Sequence, residues 1–273
     1  MSKIIYNGQI IDENEAKIFV FDKAYFFDFS VYSSLKVIKG KIFFPDYHAD
    51  RLLESARIID LGHQFNKAQI IEWLKLAVTE NNLTDGLLKV VLIGDTDNNT
   101  DAKLYIAPIA GVTFYPDKLY KFGAKVITYH GERLLPMSKV KNLLLNFLAY
   151  REARKADALD ALLIDQTGNI REGTRTNFFA IKGNTIYTAP AEQVLEGVTK
   201  KIVFQVARPQ FEIQEVNIAA DQLANYDEFF ITSTSMNVMP VSQIDDYIIK
   251  TDFTQTKKIM ALFKEYYRKN VLE

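Results

Sequence analysis

Two kinds of hydrophobic pattern run through this chain, without the regular strand–helix alternation of a parallel sheet with crossover helices. Apolar residues recur close to helical spacing over 48–61 and 67–80, whereas residues 87–93 form a nearly continuous apolar run that is typical of a strand. The hairpin signal Asn7-Gly8 lies between two further short apolar runs. This mixture predicts an α+β fold.

The chain has 273 residues, which is enough for two domains. Residues 111–123 combine two glycines, Pro116 and several charges, a composition typical of a connector. We therefore predict an N-terminal α+β domain over residues 1–110, a connector over 111–123 and a C-terminal α+β domain over 124–273.

Composition excludes several classes of function. With 33 basic and 34 acidic residues the net charge is −1, so we expect no nucleic-acid partner and no binding to anionic membranes. The absence of cysteine excludes disulfide scaffolds, cysteine-ligated metals and thiol nucleophiles, and the three histidines lie too far apart to suggest a metal site. No apolar run approaches the length of a membrane helix and no signal peptide is visible, so we expect a cytoplasmic protein.

Four features could take part in chemistry, although each also has an ordinary structural reading. Thr199 follows Gly197 at the start of a predicted helix, where it could bind a phosphate or simply cap the helix. Arg51, in an amphipathic helix, and Glu172, at a strand end, could equally be solvated charges. The triplet Ser233-Thr234-Ser235 could form an anion cradle or a polar turn.

The order of four separated sequence blocks is more specific than any one of them. The blocks are FDKAYFFDFSVYSSLKVIKGKIFFPDYHADRLLESA, SKVKNLLLNFLAYREARKADALDALLIDQTGNIREGTRTNFFAI, TIYTAPAEQVLEGVTKKIV and DEFFITSTSMNVMPV. In this order they resemble the class IV aminotransferases, which include D-amino-acid transaminases, branched-chain aminotransferases and aminodeoxychorismate lyase. The resemblance covers nearly the whole chain. It implies a two-domain fold-type-IV enzyme that holds pyridoxal 5'-phosphate between its domains.

The resemblance implies that Lys139 bonds covalently to the aldehyde of this cofactor. The family's lysine is followed by an asparagine at the third position and by Glu-Ala further along a helix. Lys139 meets both conditions, with Asn142 and then Glu152-Ala153. Lys141 is the alternative and matches neither spacing.

The resemblance also assigns residues around the cofactor ring. Glu172, in the string EGTRTN, corresponds to the carboxylate that pairs with the pyridine nitrogen. Arg133, six residues before Lys139, is a candidate partner for the ring hydroxyl. Asn177 ends the EGTRTN string, and we expect it to fix that turn rather than to act in catalysis.

A phosphate site follows from the same comparison. Arg51, in HADRL, matches the family's phosphate-binding arginine, whose planar guanidinium suits an oxyanion. Val198 and Thr199 would donate hydrogen bonds to the same phosphate, and Ser233 and Thr234 would complete the site.

Two alternatives remain for the residues that bind the substrate's α-carboxylate. The backbone amides at Thr234 and Ser235 could form an anion-binding turn, as the resemblance to branched-chain enzymes suggests, or Arg175 could reach the carboxylate directly. The strand before Gly94 offers Lys89 but no arginine. Tyr32 aligns with an aromatic residue that lines the substrate pocket, and it could equally be a core aromatic.

The chain departs from the family pattern at several positions. Phe27-Asp28-Phe29-Ser30 stands where a Gly-Asp-Gly-like turn is common, and Ser33 replaces an acidic residue. No subfamily matches cleanly, so the substrate class stays open.

The leading functional prediction is a transaminase that moves an amino group between a branched-chain or D-amino acid and a 2-oxo acid. The alternatives are a pyridoxal-phosphate lyase of the aminodeoxychorismate type and a catalytically silent relative that still binds the cofactor. The family forms homodimers, and the aromatic residues Phe26, Phe27 and Phe29 are consistent with an interface. They could also be ordinary core residues.

Overall fold

The computed structural model describes residues 2–111 and 114–272. Contacts divide the chain into two compact units, Met1–Thr113 with Ser138–Asn142 and Leu272, and Phe114–Met137 with Leu143–Val271 and Glu273. The segment Ser138–Asn142 therefore belongs to the first unit, although the residues on either side of it belong to the second. Val112 and Thr113 of the predicted connector lie outside the described residues. The predicted domain boundaries stay predictions.

The first unit is built on a six-stranded antiparallel sheet with the order β2-β1-β6-β5-β3-β4. Its strands are β1 (Lys3–Tyr6), β2 (Gln9–Asp12), β3 (Ser30–Ile38), β4 (Lys41–Ile42), β5 (Gly86–Ile93) and β6 (Lys103–Ala110). Its helices are α1 (Lys23–Phe26), α2 (Pro45–Ile58) and α3 (Lys67–Glu80).

Helices α2 and α3 pack against one face of this sheet. Alternation along β3 and β5 directs Val31 and Leu88 to that face, where they join Leu52 of α2 and Leu74 of α3 in one core. Burying a leucine of this kind is worth about 1.5–3 kcal/mol. This shared core fixes the positions of β3 and α2, and therefore of the side chains that these two elements carry.

The second unit contains a ten-stranded mixed sheet with the order β12-β11-β10-β14-β15-β7-β8-β9-β13 and with β16 beside β15. Its strands are β7 (Ala124–His130), β8 (Asp160–Ile164), β9 (Asn169–Gly173), β10 (Asn177–Lys182), β11 (Thr185–Thr188), β12 (Glu212–Glu215), β13 (Ile218–Ala219), β14 (Glu228–Ser233), β15 (Asn237–Ile244) and β16 (Tyr247–Ile248). Its helices are α4 (Asp117–Phe122), α5 (Leu144–Lys155), α6 (Val198–Ala207) and α7 (Thr254–Tyr267).

Six of these strands close on themselves, because β9 pairs not only with β8 but also with β10. The pairing that closes the ring joins Glu172 to Asn177. Phe178 and Phe229 stack in the apolar core that all six strands share, with their ring centroids 5.7 Å apart. The opposite face of β10 and β14 packs on α6 through aromatic rings. The closure point lies beside the start of that helix, because Asn177 lies against Gly197, the residue before α6.

The α+β prediction is confirmed, as are several individual elements. The helix predicted over 67–80 is α3, whose capping box at Asn66 and Gln69 marks its start. The predicted connector contains α4, a short helix that the composition of this segment did not indicate.

Candidate active site

Lys139 lies in the segment Ser138–Asn142, which makes one isolated β-bridge to β3 and is otherwise irregular. Its backbone amide donates to the Ser55 hydroxyl at 3.0 Å, and its carbonyl accepts from the Tyr32 amide at 3.0 Å. The Ser138 hydroxyl donates to the Ser55 carbonyl at 3.0 Å. The segment is thereby fastened to both α2 and β3.

The Tyr32 ring contacts the ammonium groups of two lysines. Lys139 Nζ lies 4.7 Å from the ring centroid and Lys89 Nζ, from β5, lies 5.2 Å from it. Both distances fall within the range of cation–π attraction, which stabilises a contact by about 0.5–2 kcal/mol. The alternative lysine, Lys141, instead pairs with Asp28 at 3.1 Å. Of the two lysines, only Lys139 is held against the aromatic residue predicted to line the site.

Arg51 is half-buried and belongs to a polar cluster between α2 and β3, whose other members, Ser33 and His48, are buried. Its Nη2 atom donates to the Ser33 hydroxyl at 2.9 Å and lies 3.3 Å from His48 Nδ1. Ser33 and His48 are themselves 2.9 Å apart through Oγ and Nδ1. Because a guanidinium can only donate, Nδ1 of His48 serves as an acceptor from Arg51 and the ring proton resides on Nε2.

His48 is held in its neutral form. Burial is the main cause that lowers its pKa well below the ordinary value, and the positive charges of Arg51 and Lys139 act in the same direction. Its Nε2 atom is buried and has no hydrogen-bond partner in the described part of the chain. The cluster thus concentrates two cations around a neutral imidazole.

Glu172 occupies a buried position in the second unit, at the end of β9. One carboxylate oxygen accepts from Arg133 Nη1 at 3.1 Å, and the other accepts from the backbone amide of Leu195 at 3.2 Å. The side chains of Arg133 and Glu172 are 9% and 7% exposed. Charge-assisted hydrogen bonds in such a setting are worth about 1.5–3 kcal/mol each, so the orientation of this carboxylate is well defined.

The sheet register aligns Glu172 with two further polar residues. Glu172 pairs with Asn177, and Asn177 pairs with Thr232 of β14. Paired residues on neighbouring strands direct their side chains to the same face. Asn177 Nδ2 donates to the carbonyl of Leu195 at 2.7 Å, so Leu195 is bound on its amide side by Glu172 and on its carbonyl side by Asn177.

The chain after Leu195 leads directly into α6. A Cβ atom on Gly197 would overlap Asn177 Oδ1, which excludes any side chain at this position. Thr199, in the first turn, is buried and its hydroxyl has no hydrogen-bond partner in the described residues, and the same holds for Thr232. Free amides and the positive end of the helix dipole favour an anion at such a place.

The predicted triplet lies where β14 ends and turns toward β15. The Ser233 hydroxyl accepts from the Met236 amide at 3.3 Å and lies 3.2 Å from the Ser235 hydroxyl. Ser235 also lies 3.5 Å from the Tyr115 hydroxyl. Thr234 lies between the two serines in this turn. The triplet directly follows Thr232, which the register places opposite Asn177 on the neighbouring strand.

Arg175 is exposed and is engaged elsewhere in the second unit. Its Nη2 atom donates to the Tyr150 hydroxyl at 3.1 Å and to the Leu159 carbonyl at 3.3 Å. The guanidinium carbon lies 4.3 Å from the centroid of the Tyr150 ring. This arrangement favours the alternative in which backbone amides, rather than Arg175, bind a substrate carboxylate.

Three residues around these clusters were not predicted from the sequence. His48 precedes Arg51 by three positions, a spacing that could have marked it as a neighbour on the same helix face. Leu195 contributes a backbone amide and carbonyl, which carry no side-chain signal. Asp160 is the first residue of β8 and is fully buried. The sequence signal that could have marked it is an acid directly before the apolar run Ala161–Ile164, since acids are rarely buried.

The described residues offer neither a metal site nor a membrane helix. Among residues 2–111 and 114–272, no group of three or more His, Asp or Glu side chains is arranged to hold a metal ion. In the same part of the chain, no helix combines the length and the apolar character needed to cross a membrane.

Comparisons with known proteins give a consistent result. The family profile described as amino-transferase class IV matches residues 30–244. A D-alanine aminotransferase of Bacillus licheniformis is 32% identical over 255 residues, which are 90% of each chain. A Methanocaldococcus jannaschii protein that carries the name putative branched-chain-amino-acid aminotransferase is 31% identical over 277 residues, which are 96% of each chain. The solved structure of the T.th. branched-chain amino acid aminotransferase with pyridoxamine 5'-phosphate superposes with a TM-score of 0.88 at 26% identity, over 99% of this chain and 97% of that chain.

The chain therefore belongs to the class IV aminotransferase family and has the fold-type-IV architecture. It is a pyridoxal-phosphate-dependent enzyme that transfers an amino group between an amino acid and a 2-oxo acid. The predictions of family, fold class, cofactor and transaminase activity are confirmed. None of the three relatives described above carries the name of a lyase.

Proposed function

We propose that this enzyme is a D-amino-acid or branched-chain-amino-acid transaminase in which Lys139 bonds to the cofactor. The observation that carries the assignment of the lysine is its position over the Tyr32 ring, with its backbone bound on both sides by β3 and α2. Lys141, two residues further on, is engaged by Asp28 instead. When bound, pyridoxal phosphate supplies an electron sink that stabilises negative charge at the substrate's Cα atom.

Lys139 is also the group that moves the proton. Its amine would take the proton from the substrate's Cα atom and deliver it to the C4′ atom of the cofactor. The Tyr32 ring restricts the directions that the ammonium group can take, since the ring face attracts it. Restricting the lysine in this way reduces the loss of conformational entropy during proton transfer.

Glu172 would hold a proton at the pyridine nitrogen. Its carboxylate is buried and already oriented by Arg133 and the Leu195 amide. A carboxylate facing a protonated ring nitrogen favours the charged form of that ring. Arg133 fixes Glu172 directly, and its contact with the ring hydroxyl stays a prediction.

The residues of the phosphate site fit a phosphorylated ligand. Two buried hydroxyl groups, of Thr199 and Thr232, have no partner among the described residues, and an anion at the start of α6 would satisfy such groups. We assign the phosphate to the amide of Val198 and the hydroxyl of Thr199, together with Ser233 and Thr234. Arg51 would add the guanidinium, which the Ser33–His48 pair orients.

Substrate class is proposed from the relatives, whose names refer to D-alanine in one case and to branched-chain amino acids in two. The amides of Thr234 and Ser235 would bind the α-carboxylate. The test is a panel of L- and D-amino acids with pyruvate or 2-oxoglutarate as acceptor, and the measured quantity is the new amino acid. Transfer from D-alanine or from a branched-chain L-amino acid supports the proposal. Pyruvate release from aminodeoxychorismate without an amino acceptor would overturn it in favour of the lyase.

We include a homodimer in this proposal because aromatic side chains are exposed on the first unit. Phe26 and Phe27 are 70% and 75% exposed, and Phe19 and Phe21 are exposed beside each other. Phe29, by contrast, packs against the core of the first unit. Sedimentation of the wild type and of a variant with Phe26→Ser and Phe27→Ser tests this. A dimer that dissociates in the variant is the expected result, and a monomeric, fully active wild type would contradict it.

The cytoplasmic location stays a prediction, which fractionation of the host cells would test.

A further inference from the structure

Asp160 is a fully buried acid in the second unit that the proposed chemistry does not use. One oxygen of its carboxylate accepts from the Thr174 hydroxyl and from the Ala161 amide, the latter at 2.9 Å. The other accepts from the Thr176 hydroxyl at 2.8 Å. Both threonines belong to the string EGTRTN, so a single acid binds two side chains of the segment that follows Glu172.

The turn Gly173–Thr176 is built around this carboxylate. The Gly173 amide donates to the Thr176 carbonyl at 2.8 Å, and the Thr174 amide donates to the Ala161 carbonyl at 3.0 Å. A Cβ atom on Gly173 would overlap the Thr176 hydroxyl and would lie 2.6 Å from Asp160 Oδ2. The Thr176 hydroxyl and the acid together fill the space that a side chain at Gly173 would need, and the acid supplies the acceptors for the hydroxyl groups of the turn.

The two ends of this turn are the residues that close the ring of strands. Glu172 precedes the turn and Asn177 follows it, and the two are paired across β9 and β10. Glu172 and Asn177 together bind Leu195, which leads into α6. A change in the shape of the turn would therefore move both the Glu172 carboxylate and the start of α6.

We infer that Asp160 is a positioning residue, which holds the Gly173–Thr176 turn and thereby sets the places of Glu172 and of the phosphate-binding end of α6. This inference rests on the proposed roles of Glu172 and Thr199. Asp160 would act on the cofactor through this turn, to which its carboxylate is bonded. A carboxylate suits the task better than an amide, because both of its oxygens accept hydrogen bonds whereas an amide has one acceptor oxygen.

The chain contains a matched control for this role. Glu228 is also buried, at 4% exposed, and it is the first residue of β14. It accepts from the Gln255 amide at 2.9 Å and from the Thr256 amide and the Thr256 hydroxyl at 2.8 Å each. Glu228 therefore holds the start of α7 by the same kinds of bond, and it lies at the opposite end of β14 from Thr232.

The experiment compares Asp160→Ala, Asp160→Asn and Thr176→Val with the control Glu228→Gln. The affinity of each apoenzyme for pyridoxal phosphate is measured by fluorescence titration, and the absorption spectrum of the bound cofactor is recorded against pH. Removing a residue that orients a ligand-binding group typically lowers the affinity for the ligand by about 10- to 100-fold. We expect Asp160→Ala to lose about tenfold or more in affinity and to alter the spectral titration, with Asp160→Asn recovering part of both. Glu228→Gln should stay within about twofold of the wild type.

A lowered melting temperature with unchanged affinity and spectrum in the Asp160 variants would overturn the inference, because a merely structural role predicts that result. If Asp160→Ala does not fold, Thr176→Val decides, since it removes one hydroxyl and leaves the acid in place. Glu172→Gln separates this inference from the proposed function. If Glu172→Gln leaves affinity and spectrum unchanged, both fail. If Glu172→Gln changes them and the Asp160 and Thr176 variants do not, only the role of Asp160 fails.

Discussion

The two units hold their candidate residues in different ways. In the first unit, Lys139 lies on a short irregular segment, and Arg51 is oriented by individual side chains, Ser33 and His48. In the second unit, Glu172 and Asn177 are positioned by the register of a closed ring of strands. The first arrangement depends on a few local hydrogen bonds, whereas the second is distributed over a sheet whose core is buried.

This difference predicts different responses to substitution. A change in the first unit should affect the one group it touches, because few other elements depend on it. A change at the ring closure should affect the pyridine-facing carboxylate and the phosphate-binding helix together, since Leu195 connects them. Substitutions chosen from the two units can therefore break or sharpen the comparison.

The largest effect is expected in the first unit. Lys139→Ala removes the group that bonds to the cofactor and moves the proton, and general acid–base catalysis alone contributes about 10²- to 10⁴-fold. We expect kcat to fall by about 10³-fold or more in a transamination assay. Lys141→Ala is the matched control and should stay within about threefold, because its amine pairs with Asp28. The reverse order of effects would show that the lysines are assigned wrongly.

A smaller effect is expected at the start of α6. Thr199→Val removes a buried hydroxyl, and a hydrogen bond to a charged group is worth about 1.5–3 kcal/mol, which corresponds to about 10- to 150-fold. The affinity of the apoenzyme for pyridoxal phosphate should fall by this factor, whereas its affinity for pyridoxal without the phosphate should not change. Thr188→Val is the control, because the Thr188 hydroxyl is buried but already donates to the Phe178 carbonyl at 2.8 Å. An equal loss of affinity for both ligands would show that Thr199 does not bind the phosphate group.

The buried histidine of the first unit predicts a dependence of stability on pH. Burial lowers the pKa of His48 well below the ordinary value, so the folded state leaves it neutral while the unfolded chain protonates it below about pH 6.5. The unfolded state then binds more protons, and stability falls as the pH falls through this range. Between about pH 7.5 and 5.5, His48 should account for a loss of about 1.4 kcal/mol in the free energy of unfolding.

Urea unfolding at the two pH values measures this loss. His48→Asn keeps an acceptor near the position of Nδ1 and removes the titrating ring, so this variant should lose the His48 part of the slope. His130→Asn, at an exposed position, is the control and should keep it. An unchanged slope in His48→Asn would mean that the imidazole does not remain neutral in the folded protein.

The smallest effect is expected at Arg175. Its guanidinium is exposed and stacks on Tyr150, so Arg175→Ala should change kcat/KM for amino acids by less than about threefold. A loss of about 10- to 150-fold with cofactor binding intact would show that this arginine, and not the amides of Thr234 and Ser235, binds the substrate carboxylate.

Much of the fold could be predicted from local patterns. The helix over 67–80 has a clear apolar stripe and a capping box, and α3 has those bounds. The run 87–93 became β5 with one residue added. Closure of the six-stranded ring could not be predicted, since it depends on the pairing of Glu172 with Asn177 across a turn whose acceptors come from a third strand. No local pattern contains that information.

The residues of the candidate site likewise fall into those that a local sequence motif predicts and those that it does not. Residues with a sequence motif, such as Arg51 in HADRL and Glu172 in EGTRTN, were predicted through the resemblance. His48 and Asp160 were not, because their importance lies in which groups they contact after folding. Leu195 acts through its backbone, which any residue would provide. Ser33 was noticed only as a departure from the family, and the structure shows it bonded to Arg51.

The central claim is that Lys139 is the lysine that bonds to pyridoxal phosphate, and it can be tested chemically. The holoenzyme is reduced with borohydride, digested, and analysed by mass spectrometry for the phosphopyridoxyl group. We predict this group on the peptide that contains Lys139, and its loss from that peptide in Lys139→Ala, with the label unchanged in Lys141→Ala. A label on Lys141 or on any other lysine of the wild-type protein would contradict the account.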